Sequence, residues 1–138
     1  MNRLAELLPE YPIVSQFFGV GETLTPQIMG EIGDVARFRK KSSLVSFAGL
    51  DPVENKSGKH QGRETISKQG SSHLRKALFQ VMDCLIQHKP ADNPIYQFLD
   101  RKRAEGKHYY SYMTAGSAKF LRIYYARVLE YLLSLDEE

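Results

Sequence analysis

The sequence predicts a mainly α fold: a helix-hairpin-helix, then a basic irregular loop, then a bundle of three longer helices. Three observations lead there. Apolar residues recur at helical spacing on both sides of a central stretch. Ser, Asn, Gly and Pro punctuate them at helix-length intervals. Between them, residues 51–76 (DPVENKSGKHQGRETISKQGSSHLRK) hold four Gly or Pro breakers, six Lys or Arg, four serines and almost no large apolar side chain. A loop of that kind, held between patterned helices, is where binding and catalysis concentrate. At 138 residues the chain suits one domain, residues 1–138, large enough to bury a core.

Taken in order, residues 3–8 read as a short helix stopped by Pro9. Residues 11–34 read as helix, tight turn, helix. Ile13, Val14, Phe17 and Phe18 share the first apolar face, and Val20, Leu24, Ile28, Met29 and Ile32 the second. Gly19-Val20-Gly21 allows the sharp turn between them. Thr23 as N-cap would put Pro26 in the first turn, where its missing N–H costs little, with Gly33 as C-cap. Asp34–Phe38 reads as a short helical turn with Phe38 inward. Ser42 or Ser43 is expected to cap a helix through Ala48 that buries Leu44, Val45 and Phe47 and ends at Gly49.

Within the loop, residues 51–70, weak strand character at Pro52-Val53-Glu54 and Glu64-Thr65-Ile66 allows a small β-hairpin. The helical bundle, residues 72–134, follows. Ser71 or Ser72 caps a helix over 72–88 with Leu74, Leu78, Val81, Met82 and Leu85 as its stripe. Asn93-Pro94 opens the next, through about residue 105, with Ile95, Tyr96, Phe98 and Leu99 inward. A last helix, about 109–134, carries Ala115-Gly116-Ser117-Ala118, which would permit close helix packing.

Charge is uneven. Residues 1–35 carry a net −4, residues 36–80 a net +7 and residues 81–138 zero. The basic middle suits a polyanion such as nucleic acid, against the plainer reading of a solvated basic face. One cysteine, Cys84, excludes an internal disulfide and a Cys-rich zinc site, and it is expected to be a small buried hydrophobe. His60, His73, His88 and His108 show no metal-ligand spacing. Asp51, Glu54 and Glu64 could cluster around a metal, but scattered loop acids are more often solvated. No apolar run suits a membrane span, and MNRLAELLPE lacks a signal-peptide core, so no membrane partner and a cytoplasmic location are expected.

The Gly19–Gly21 turn and the helix start after it can offer backbone amides to a phosphate, reading the DNA backbone without its sequence. A tight helical hairpin without ligand is the alternative. His108-Tyr109-Tyr110-Ser111-Tyr112 could stack on bases or supply a nucleophile, although tyrosines at helical spacing are more often packing residues. Lys119, Arg122 and Arg127 share part of a helix face that could touch nucleic acid or simply be solvated.

The order GVG, EIGDVARF, SFAGLDP, KSG, ISKQGSSHLRKAL resembles the C-terminal transposase domain of the insertion-sequence family called IS-one-ten, and its relatives the Piv-type DNA invertases. The resemblance spans about residues 13–130 and is clearest between Gly19 and Leu78. It implies cutting and rejoining of DNA through a serine–DNA covalent link. It also implies a partner RNase-H-like domain, expected to lie outside this chain, that holds a divalent metal (Mg), with no cofactor in the chain itself. DNA is the implied partner, with a structured guide RNA in some members. The family serine sits in the Ser-Gly step after AGLxP, here Ser57-Gly58. Lys56 and Lys59 flank it, and Arg63, Lys68 and Arg75 are candidates to hold phosphate oxygens. Ser67 is the competing serine. His60-Gln61 and Gln69 depart from the family's more basic pattern, and Thr25 stands where a helix-hairpin-helix usually has a small Ala. The alternative from a different class is a non-catalytic nucleic-acid-binding module or an inactive remnant. The long terminal helix is the surface expected to pair copies in a homo-oligomer.

Overall fold

The computed structural model describes residues 5–50 and 71–136. These residues form six α-helices and one 3-10 turn, with no strand among them. The order is α1 (Tyr11–Ser15), α2 (Gly21–Ile32), the 3-10 turn Val35–Arg37, α3 (Lys41–Phe47), α4 (Ser72–His88), α5 (Pro94–Ala104) and α6 (Tyr109–Asp136). The mainly helical class expected from the sequence is what the described residues form. The β-hairpin expected in the loop falls outside the described residues.

Helix α6 is the organising element. Its 28 residues extend about 42 Å, and α1, the 3-10 turn, α3, α4 and α5 all pack against it. Met113, Phe120, Leu121, Tyr124 and Val128 form its buried stripe. Opposite them lie Leu74, Leu78, Val81, Met82 and Leu85 of α4, all buried as the spacing predicts. Gly116 is the tightest junction. A Cβ there would stand 2.6 Å from Leu99 Cδ2 and 3.0 Å from Met82 Sδ, so the absence of a side chain lets α4, α5 and α6 converge. At the other end of the core Phe17 packs on Phe120 and Tyr124, with centroids 5.2 and 6.0 Å away. Burial, then the Glu10 carboxylate, raises the Tyr124 phenol well above its ordinary value.

Several helix ends obey their local sequence. Ser71 caps α4 by accepting from the Leu74 amide at 3.0 Å. Asn93 caps α5 by accepting from Ile95 and Tyr96, with Pro94 at the first helical position. Asp34 accepts from Ala36, and Gly33 ends α2 with φ +72°.

Several local expectations are corrected. Thr23 does not cap α2: the chain enters the helix directly from the glycine turn, with Val20 already in helical conformation. Pro26 therefore sits mid-helix, and the preceding hydroxyl, Thr25 Oγ1, donates to the Gly21 carbonyl. Lys40, not Ser42 or Ser43, precedes α3, and no side chain caps it. Phe18 is 41% exposed because the short α1 has ended before it. Among residues 3–8, the described part is helical only at 5 and 6. Cys84 is half-buried rather than sealed in the core.

Candidate functional site

The basic segment 51–70 leaves the scaffold after Leu50 and returns at Ser71, and these two ends are tied together. The Ser71 amide donates to the Phe47 carbonyl at 3.0 Å. Its hydroxyl accepts from Leu74 and donates to Glu31 Oε1 on α2 at 2.6 Å. Arg75, one turn into α4, donates through Nη1 to the Ala48 carbonyl at 3.1 Å. On the outgoing side the Leu50 amide reaches the Val45 carbonyl at 3.1 Å. Three helices thus supply a polar clamp that closes the loop at its base.

Beneath the clamp lies an aromatic and cationic layer. The Arg37 guanidinium sits 4.4 Å from the Phe38 ring centroid and 5.0 Å from that of Phe47, and its Nε donates to the Ile32 carbonyl at 2.9 Å. Tyr125 of α6 donates to the Phe38 carbonyl at 3.0 Å. The segment that leads into α3 is therefore tied both to the end of α2 and to α6. Arg37 is not simply a solvated member of the basic segment. It closes the end of α2 and stacks on the residue whose carbonyl receives Ser71.

Of the residues singled out from the sequence, Ser57, Lys56, Lys59, Arg63 and Lys68 lie outside the described residues, as do Ser67, His60 and the acids Asp51, Glu54 and Glu64. Arg75 is half-buried and bound to Ala48, at the mouth of the loop. The two turn glycines differ. Gly19 has φ +89° and faces α4, where a Cβ would meet Val81 Cγ1 and the Val81 carbonyl at 3.3 Å. Gly21 has φ +59°, is exposed and has open space around it. It begins α2, where the first-turn amides receive no side-chain cap, although the exposed Glu22 already answers the helix dipole.

The tyrosine run starts α6. Tyr109 and Tyr110 are 51% and 64% exposed and gather with Phe79 and Tyr112. Tyr109 donates to Asp83 Oδ1 at 3.5 Å. Partial desolvation, then the Asp83 carboxylate, raises its phenol above the ordinary value, which disfavours the phenolate a nucleophile would need. Lys119 and Arg127 are engaged with rings, Phe98 at 5.4 Å and Phe17 at 5.3 Å, while Arg122 is exposed. His88 Nδ1 lies 3.0 Å from the Cys84 carbonyl and 3.5 Å from its sulfur. Among the described residues no three His, Cys, Asp or Glu side chains converge as a metal site, and no helix is long and apolar enough to cross a membrane.

Sequence reading missed Glu31 and Arg37 as supports of the loop. No local signal marks them, because their partners are set by folding: Glu31 meets a serine 40 positions away.

Comparison with known proteins adds a second line. The model of the transposase IS116/IS110/IS902 family matches residues 11–97, from α1 through the loop into α5. An insertion element IS110 uncharacterized 43.6 kDa protein of Streptomyces coelicolor is 31% identical over 107 residues. That region is 78% of this chain but 26% of the relative, so the chain spans about a quarter of the length of the curated protein it matches. No solved structure matches. With four of the six described helices wholly inside the matched region, the chain belongs to the IS116/IS110/IS902 transposase family.

Proposed function

We propose that this chain is the part of a DNA transposase that carries the nucleophile, Ser57, on the loop closed by Phe47, Ser71, Glu31 and Arg75. Membership of the transposase family is the observation that carries the reading. The clamp supports it, because a reacting group on a long loop needs fixed ends if it is to meet a phosphate in a defined place.

In this reading the Ser57 oxygen attacks the phosphorus of a DNA phosphodiester. An Oγ–P bond forms, the bond from phosphorus to one bridging oxygen breaks, and that oxygen leaves with a proton. The serine proton passes to a base supplied from outside the described residues. Lys56, Lys59, Arg63 and Lys68 offset charge on the non-bridging oxygens. Arg75 acts differently. With Nη1 donating to the Ala48 carbonyl, it positions the chain's return at Ser71. At the glycine turn, the exposed amide at Gly21 is the candidate backbone contact, whereas Gly19 serves the packing on α4. Rejoining reverses the step: a DNA hydroxyl attacks the serine-linked phosphorus and frees Ser57. The divalent metal implied by the family resemblance would be held by residues of the partner RNase-H-like domain.

The test joins this chain to the RNase-H-like domain of a family member and traps protein covalently bound to DNA. Adduct is expected with the native chain and none with Ser57→Ala. Undiminished adduct in Ser57→Ala would overturn the assignment.

A further inference from the structure

We propose that Tyr109 and Tyr110, with Phe79 beneath them, form a stacking platform for unpaired bases of single-stranded DNA. The inference rests on the reading of this chain as a DNA-handling domain and gives that domain a second contact, away from Ser57.

The platform is built rather than incidental. Phe79 of α4 meets Tyr109 edge-on, with centroids 6.5 Å apart at 82°, and Tyr110 at a tilt, 5.8 Å away at 58°. Tyr112 buttresses Tyr109 from the next turn at 5.7 Å and 76°. Asp83 fixes the Tyr109 hydroxyl. These contacts restrain the rings, yet Tyr109 and Tyr110 stay more than half exposed. Most other large aromatics of the described chain are packed into or against the core. Restrained rings with open faces suit partners that stack, and every unpaired base has such a face. A duplex hides its base faces in its own stack and would gain little here.

The surrounding charge fits a phosphate backbone. Lys76 lies one turn before Phe79 on the same side of α4, Lys107 and His108 precede the tyrosines, and Arg103 stands 5.9 Å from the Tyr112 ring centroid. Of the carboxylates on these elements, Glu105 is paired with Lys102 at 3.6 Å, while Asp83, which accepts from Tyr109, keeps its charge. Phe79 is eight residues along α4 from Ser71, about 12 Å from the point where the loop returns. A strand cut and unpaired at the loop could therefore run along Lys76 to the platform. That proximity to a strand-cutting loop is why DNA, rather than RNA, is the occupant proposed.

The test measures binding of the 138-residue chain to labelled oligothymidylate of roughly 12 nucleotides, to oligouridylate of equal length and to a DNA duplex, at low salt. Tyr110→Ala, and Tyr109→Ala with Tyr110→Ala, should weaken oligothymidylate binding about tenfold or more, while Tyr110→Phe stays within about twofold because the ring, not the hydroxyl, is used. Duplex binding should change little. Tyr110 is largely exposed, so its single variant keeps the fold, which a melting curve checks. Unchanged oligothymidylate affinity in Tyr110→Ala and the double variant, or duplex binding without single-strand binding, overturns the platform and leaves the wider reading standing. Tyrosine-dependent binding that is tighter for oligouridylate overturns the choice of DNA. No binding to any of the three overturns the platform and the DNA-handling reading together.

Discussion

The Gly116 junction and the base of the basic loop are built on opposite principles. At Gly116 three helices meet by shape alone, and a side chain that is absent sets how closely they approach. At the loop base, hydrogen bonds from Ser71 and Arg75 to partners 24 to 40 positions away tie buried segments together. The first region makes the scaffold stable. The second makes one point on it precise. Stability and placement are therefore separable here, and substitutions should divide them.

The largest effect on stability is expected at the junction. Gly116→Val must push Leu99 or Met82 aside, and overpacking of this kind costs about 2–3 kcal/mol, read as a lower urea midpoint. Adduct formation by the surviving folded fraction should be close to native. Arg75→Ala should show the reverse pattern. Loss of a charged donor from a half-buried site costs about 1–2 kcal/mol, but adduct yield in the domain-complete protein should fall by roughly tenfold or more as the loop's return is released. If Arg75→Ala and Gly116→Val lowered adduct only in proportion to stability, the division of labour would be wrong.

Ser71→Ala removes a cap and should cost about 1 kcal/mol. A double-mutant cycle with Glu31→Ala should show coupling of about 0.5–1 kcal/mol, because the two side chains bond directly. Additivity within error would mean that α2 takes no part in the clamp. The smallest effect is a titration. Folding favours the neutral Tyr109 phenol, so its protonated form adds stability below the ordinary value of 10.0, and that contribution is lost as pH rises through the higher folded value. In alkaline ultraviolet titration Tyr109 should ionise later than an unperturbed phenol, and Tyr109→Phe should remove that late step.

What could be read from sequence divides along the same line. The α4 stripe, the Ser71 and Asn93 caps and the small residues around Gly116 each declare themselves within a few positions, because helix periodicity and capping are local. The clamp does not. Ser71 is legible as a cap, but nothing near it announces Glu31 or the carbonyl of Phe47. Arg75 reads as a phosphate ligand by composition, and only the fold shows that one of its nitrogens is spent on Ala48. The Pro26 expectation failed for a related reason. A Thr three residues ahead of a Pro suggests a capped first turn, yet the glycine turn had already set the backbone helical at Val20. Ser57 is singled out by the ordered motifs around it alone, and it lies outside the described residues.

The most direct measurement is the identity of the residue joined to DNA. The domain-complete protein is reacted with its DNA, digested, and the nucleotide-bearing peptide sequenced by mass spectrometry. The account predicts a nucleotide on Ser57, in the peptide between Lys56 and Lys59. A nucleotide on Ser67, Tyr109 or Tyr110 instead would contradict it.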